Sequence, residues 1–361
     1  MYSFEPTEEQ KMLMDAVDRF AETDLRPAAH DAEETGGFEQ KLIAKGWEMG
    51  VLQASIPETY GGFGDRSVVT SVLAAESMAW GDLAGTMAVM TPGLFTMPVL
   101  LAGTEEQKQK YIPPVIEGIW QPYSVALVEK SFDFDPNDLS CTAVLSGDEY
   151  VINGEKIMVP FAKESKALIV YASLEGKTKG FILPAGTQGV IITPEREKWM
   201  GLNALPFHSI KLDDVKLPKG NLLPGDFEPL LDSSRVAVAA MAIGVAKAAF
   251  EYSRDYAKDR DVFGVKVAQK QAIAFMLAEM ATEIEAMRAL TWEAAWMMDT
   301  GKPDASKQAY LAYMGSVDMA MMVTDRAVQI LGGHGYIREH PVELFMRNGR
   351  GFAAFTGLAM V

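Results

Sequence analysis

The sequence predicts an α+β protein in three parts: an N-terminal helical domain over residues 1–118, a central β-barrel or sandwich-like domain over 119–227, and a C-terminal four-helix bundle over 228–361. Three observations carry this. Apolar residues recur at helical spacing through the first third. Short, β-branched, alternating runs split by Gly, Asp and Asn fill the middle. Three helical runs of about 30 residues then occupy the last third. The order α, β, α bundle is uncommon and narrows the field before any motif is considered.

In the first part, "PTEEQKMLMDAVDRFAETDLRP" opens with Thr7 as an N-cap and acidic residues in the first turn, and Met12, Leu13, Val17 and Phe20 recur at helical spacing. "GGFEQKLIAKGWEMGV" is a second helix. "PETYGGFGD" (57–65) is a Pro/Gly loop, and "RSVVTSVLAAESMAW" resumes helix. "GTEEQKQKYIPPVIEG" is a short helix capped by Thr104 and stopped at Pro113–Pro114. The β block runs from "SVALVE" through "LSCTAVLSGDEYVINGEKIMV", "ALIVYASL", "KGFILPA" and "GVIITPE" to "FHSIKLDDVKLP", and closes near "GNLLPGD". Then come two long Ala-rich helices, the second stopped by Gly301–Lys302–Pro303, a third over "DASKQAYLAYMGSVDMAMMVTDRAVQIL", a Gly loop and a last short helix. Helices this long exceed the usual length, and their extra apolar surface implies oligomerisation.

The formal net charge of −16 argues against nucleic acid or an anionic membrane as a main partner, since the whole-protein field repels phosphate. It leaves room for a local basic pocket. A single cysteine, Cys141, excludes an internal disulfide and a Cys-based metal cluster and reads as a small buried residue. No metal site is expected. With no basic-apolar leader and no run of about 18 apolar residues, the expected location is cytoplasmic. The 22 methionines read as adaptable core packing.

Seven short motifs follow one another: "PETYGGFG" (57–64), "GTEEQKQKYIPP" (103–114), "GDEYVINGEK" (147–156), "LDSSR" (231–235), "RDVFG" (260–264) with Gln271 after it, "QILGGHGY" (329–336) and "PVELFMRNGR" (341–350), the last running on into the frame of "RNGRGFAAFTG". In this order and spacing, and over essentially its whole length, the chain resembles the acyl-CoA dehydrogenase family. The resemblance implies FAD, an acyl-CoA substrate, a dimer or tetramer, and electron-transfer flavoprotein as acceptor. It also implies the reaction: a carboxylate removes the α-proton and the β-hydrogen leaves as hydride to the flavin. An α-C–H is a poor acid even beside a thioester, so the reaction needs a positioned base in a dry pocket.

Carried over residue by residue, the resemblance makes Asp232 and Arg235 the contacts to the CoA chain. The competing reading is a surface pair one helical turn apart. Arg260, Phe263 and Gln271, the last taken to lie on the same element, match contacts to the FAD of a neighbouring subunit. So do Gln329 and glycines 332, 333 and 335, whose loop lets backbone N–H groups approach a pyrophosphate. His334 inside that loop reads as structural or exposed. The contacts a member makes to its own flavin are altered. "VEKSFDFD" (128–135) replaces the family's "TEPxAGSD"-like stretch, with Val128 for Thr, Lys130 for Pro and Phe134 for Ser. Met158-Val159-Pro160 replaces "W-I-T/S", and Pro160 offers neither hydroxyl nor N–H. Both positions that carry the base in the family are neutral hydroxyls, Thr356 and Ser234. Glu76, Glu129 and Asp135 read as solvated or capping carboxylates rather than substitutes, and the catalytic base stays unassigned.

Loss of the chain's own flavin contacts with retention of those that reach across an interface implies one subunit of a heteromeric acyl-CoA dehydrogenase, paired with a sibling that carries the base, with bulky acyl-CoA substrates such as sterol side chains in view. Two alternatives stand beside it. One is a self-sufficient homo-oligomeric flavoenzyme doing other chemistry, such as monooxygenation, reduction or elimination on a CoA thioester. The other is a non-catalytic acyl-CoA-binding protein.

Overall fold

The computed structural model describes residues 5–361. The N-terminal part holds α1 (Glu8–Phe20), α2 (Arg26–Thr35), α3 (Gln40–Trp47), α4 (Val68–Gly81), α5 (Leu83–Met90), α6 (Gly93–Ala102), α7 (Glu105–Tyr111) and α8 (Pro113–Ile116). Thr7 and Thr104 each close a capping box, with Gln10 and Gln107 respectively. The first helix does not stop at Pro27. A π-turn over Ala21–Leu25 joins α1 to α2, where Pro27 sits in the first turn and its missing N–H leaves no bond unmade. α5 and α6 are buried at nearly every position, so they lack the one-sided apolar period that marks the other helices.

The middle part is one seven-stranded sheet of β1 (Ser124–Ala126), β2 (Thr142–Ser146), β3 (Glu149–Pro160), β4 (Ala167–Leu174), β5 (Lys177–Pro184), β6 (Val190–Ile192) and β7 (Phe207–Pro218). The order is β1-β4-β2-β3-β7-β6, with β5 on β4. β1 and β2 run parallel to β4, and the other pairs are antiparallel. The sheet curls round its own core, which includes Cys141, Ile152, Val170, Phe181, Leu212 and Leu217. Burial pushes the Cys141 thiol up to about 11, so it is an inert packing group.

Beneath that core lies a buried ion pair. Lys156 Nζ meets Glu129 Oε1 at 2.7 Å, and both side chains are almost inaccessible. Glu129 also accepts from the Ser140 and Cys141 backbone N–H groups at 2.7 and 2.9 Å. Burial alone raises a carboxyl, but Lys156 and these donors outweigh it and hold Glu129 below its ordinary range. Burial in turn pulls Lys156 below its own. Glu129 is thus a buried structural anion, not a solvated carboxylate.

The last part holds α9 (Glu228–Asp259), a small hairpin of β8 (Asp261–Val262) and β9 (Val265–Lys266), α10 (Gln271–Asp299), α11 (Ala305–Leu331) and α12 (Val342–Gly349). α9 is long and apolar enough to cross a membrane by composition, yet 78% of that window is buried inside the fold. α11 and α4 pack along it, and Gly244 permits the close approach: a Cβ there would stand 2.3 Å from the Glu76 carbonyl. Glu76 is no solvated carboxylate either. It is buried, receives Arg288 Nε at 2.8 Å, and burial still pushes it above its ordinary value. Asp299, at the end of α10, accepts from the Val68 and Val69 N–H groups at 2.7 and 3.1 Å and so caps α4 from another domain.

Replacing one partner of the buried pair leaves an uncompensated charge, so Lys156→Met will cost about 3–5 kcal/mol at pH 7 by urea unfolding, and Glu129→Gln/Lys156→Met will recover most of it. Because the folded-state Glu129 carboxyl is depressed, its stabilisation is present above the unfolded carboxylate value and lost as pH falls through the folded one. The deficit of Lys156→Met will therefore shrink when the unfolding is repeated in acid.

Candidate active site

Three groups of residues define the site. The first surrounds the two positions where a base is expected. Ser234 lies in the second turn of α9, buried, and Thr356 lies in the segment after α12. The fold brings them together: the Gly357 N–H donates to Ser234 Oγ at 2.7 Å. Thr356 Oγ1 lies 3.2 Å from Tyr313 Oη, whose own proton goes to the Ala353 carbonyl at 3.0 Å. Burial pushes the Tyr313 hydroxyl above its ordinary value. Neither Ser234 nor Thr356 has an anionic partner that would activate it as a base. Asp135 is exposed and accepts from the Asn137 N–H at 2.8 Å, a turn contact.

The second group is the strand end where a flavin ring is expected. β3 bulges between Lys156 and Val159, and Met158 is held at φ 55° with its side chain buried. A cavity of about 230 Å³ opens beside it, lined by Met158, Trp199, Phe207, Arg347, Ala354 and Phe355 among others. The polar groups nearby are already spent. Glu197 Oε2 accepts the Met158 N–H at 3.1 Å and Trp199 Nε1 at 2.9 Å, and Ser209 Oγ donates to the same carboxylate. Arg347 is bound by Glu33 and Glu343. Pro160 has no donor, and its carbonyl takes the Ser124 hydroxyl at 2.5 Å. An isoalloxazine needs donors toward its ring nitrogens and oxygens, and a carboxylate holds them instead. This half does not fit the cofactor.

The third group does. Arg260, Phe263, Gly332 and Gly333 line one open cavity of about 530 Å³, together with Lys270 and His334. Phe263 is 94% exposed, and Lys270 Nζ lies 5.4 Å from its ring centroid. A Cβ on Gly332 or Gly333 would meet nothing within 4 Å, so their backbone faces open space. Two cations and bare backbone in one concavity suit a pyrophosphate. Gly335 differs: it is buried, and a Cβ there would stand 2.4 Å from the Val328 carbonyl, so it serves packing. Gln271 opens α10 and is not on the same element as Arg260, which precedes β8, and Phe263, which sits in the β8–β9 turn. Gln329 is exposed near the end of α11. His334 is structural: Tyr256 Oη lies 2.9 Å from its Nδ1, and its ring stacks on His340 at 5.1 Å.

Asp232 and Arg235 form an ion pair one turn apart, as the competing reading expected, but a largely buried one rather than a surface one. Arg235 Nη1 reaches Asp232 and Glu228, each at 2.8 Å, and Asp232 also accepts from Ser306 at 3.1 Å. Burial raises Asp232 above its ordinary value despite these donors. Glu197, Tyr313, Lys270 and Arg66 escaped sequence reasoning. Only Lys270, next to Gln271, lay beside a residue that it had singled out.

The fold is shared with known proteins. Family models describing the acyl-CoA dehydrogenase N-terminal, middle and C-terminal domains match residues 7–119, 124–215 and 227–359 in turn. The chain belongs to the acyl-CoA dehydrogenase family. The probable acyl-CoA dehydrogenase YngJ of Bacillus subtilis is 35% identical, over 96% of this chain and 94% of the relative. The caffeyl-CoA reductase-Etf complex subunit CarC of Acetobacterium woodii is also 35% identical, over 98% and 96%. The solved butyryl-CoA dehydrogenase of Megasphaera elsdenii superposes with a TM-score of 0.89 at 31% identity, covering 99% of this chain and 96% of that one. The family consists of flavoprotein oxidoreductases of acyl-CoA thioesters.

A packing position and a solvent-facing one separate by role, and thermal denaturation will show it. Gly335→Ala will lower stability by about 1–3 kcal/mol through overpacking against Val328. Phe263→Ala, fully in solvent, will stay within about 0.5 kcal/mol of the parent.

Proposed function

We propose that this chain is the base-lacking subunit of a heteromeric, FAD-dependent acyl-CoA dehydrogenase. It pairs with a sibling that holds the flavin ring and the proton-abstracting carboxylate. One observation carries the reading: the open cavity of Arg260, Phe263, Lys270, Gly332 and Gly333 is kept, while the donors at Met158 are taken by Glu197. Residues that serve a neighbour's cofactor are intact, and residues that would serve its own are not.

In this assembly FAD, bound mainly by the sibling, supplies the hydride acceptor for the substrate's β-carbon. This chain's part is binding and orientation. Arg260 and Lys270 would neutralise the diphosphate, and the Gly332–Gly333 backbone and Phe263 would line the rest of its site. Electron-transfer flavoprotein is the proposed acceptor, a reading supported by the relative named as part of a reductase-Etf complex. A second reading is a homo-oligomeric enzyme that reduces an unsaturated CoA thioester. It draws support from relatives named caffeyl-CoA reductase and 3-(aryl)acrylate reductase.

Purification alone and with a co-expressed sibling separates the two by visible absorbance. The proposal predicts a colourless chain alone and a yellow mixed assembly, whereas stoichiometric flavin and acyl-CoA turnover by this chain alone would falsify it. In the mixed assembly, Arg260→Ala will weaken FAD binding by roughly 10–100-fold, the worth of one charge-assisted contact, as read by flavin fluorescence on dilution.

A further inference from the structure

Two tyrosines and two histidines form one cluster beside the open cavity of Arg260 and Lys270. Tyr252 and Tyr256 lie one turn apart on α9, and His334 and His340 lie in the segment between α11 and α12. Tyr256 Oη meets His334 Nδ1 at 2.9 Å, and Tyr252 Oη meets His340 Nδ1 at 2.7 Å. The two imidazoles stack with their planes 14° from parallel and their centroids 5.1 Å apart. Tyr256 packs edge-on against both rings, at 5.8 Å from His334 and 5.7 Å from His340. His334 is thus held by a bond at one nitrogen and by a stack on one face.

These contacts engage Nδ1 alone. Nε2 of His334 has no hydrogen-bond partner among the described residues, and it is not one of the unpaired polar atoms sealed inside the fold. His334 and Tyr256 both line the cavity of about 530 Å³, with Arg260, Lys270 and the Gly332–Gly333 backbone. In a chain of net charge −16, none of the residues lining this cavity is a carboxylate. A tyrosine hydroxyl donates or accepts by turning about its C–O bond. Toward a neutral imidazole it donates to Nδ1, which leaves the ring proton on Nε2. Toward an imidazolium it accepts from Nδ1–H, and Nε2 again carries a proton. An anion in the cavity therefore finds an Nε2–H donor in either state, with Nδ1 satisfied by Tyr256 in both.

We propose that His334 is a further diphosphate-binding residue of this cavity: its Nε2–H donates to a phosphate oxygen of a nucleoside diphosphate, Tyr256 holds the proton on that nitrogen, and His340 holds the plane of the ring. Arg260 and Lys270 supply charge, and His334, fixed at one edge and one face, supplies direction. Tyr256 and His340 are positioning residues and touch no phosphate. The proposal rests on the diphosphate reading of the cavity and not on which subunit holds the flavin ring.

The test uses the full chain with ADP and with adenosine, which lacks the phosphates, and reads both by calorimetry. The parent will bind ADP more tightly than adenosine. His334→Phe keeps a ring for the stack and loses the donor, so its ADP affinity will fall roughly tenfold, the worth of one hydrogen bond to a charged group, while adenosine affinity stays put. His334→Gln, whose amide N–H can stand in for Nε2–H, will recover most of that loss. Tyr256→Phe will weaken ADP alone, by about threefold, through the unfixed tautomer. NMR of isotope-labelled histidines in the parent needs no variant to fold: an Nε2–H resonance will move on adding ADP and not on adding adenosine. Undiminished ADP binding by His334→Phe, equal loss of ADP and adenosine, or histidine resonances indifferent to ADP overturns the proposal. In the first and last of these outcomes a parent that prefers ADP leaves the diphosphate reading standing. A parent that binds ADP no better than adenosine overturns that reading and the proposal together. A parent that carries flavin contradicts the heteromeric reading alone, and the same loss is then read as faster FAD release from His334→Phe on dilution.

Discussion

The burial of α9 on all sides is the constraint from which the rest follows. From Leu230 to Ala249 almost every residue is buried, and most are Ala, Val or Gly. A helix with so little polar face is stable only when other elements cover it. Its small side chains let them come close. α4 is seated at Gly244, α11 lies along its length, and the segment after α12 folds back onto its first turns. One helix thus joins the N-terminal part, the bundle and the base-bearing segment. Asp299 and Arg66 add polar ties across the seam between these parts, the first to the Val68 and Val69 N–H groups and the second to the Val361 carbonyl.

On the proposed reading, that arrangement lets a family fold keep one half of its chemistry and lose the other. The cavity proposed to take a diphosphate stands on the β8–β9 hairpin and the Gly332–Gly333 loop, away from the first turns of α9. It can be retained for a neighbour whatever happens at the seam. The ring position depends on β3, where Pro160 and the Glu197 carboxylate replace donors by an acceptor. An anion there also disfavours the negative charge that a reduced flavin carries. Fold and chemistry therefore part at specific atoms, as expected when function resides in sites placed on a fold.

Much of this was legible in the sequence because it is local. Thr7 and Thr104 announce capping boxes, period-two runs announce strands, and Arg260, Phe263, Gly332 and Gly333 do converge. What was not legible depends on distant partners. α5 and α6 show no one-sided period because they are covered all round. The π-turn over Ala21–Leu25 that joins the first two helices has no local signature. Glu76 and Glu129 look like ordinary carboxylates until Arg288 and Lys156 are found buried beside them. Arg235 offers its charge to Glu228 as well as Asp232, seven and three residues away. Thr356 and Ser234 are 122 positions apart, and nothing local shows that the backbone beside one closes on the other.

The central claim is a division of labour in which this chain contributes to a cofactor site but completes none of its own. Native mass spectrometry of the assembly formed with its sibling counts cofactor directly. One FAD for each pair of unlike subunits is the predicted result. Two FAD for each pair, with every subunit loaded, would contradict it.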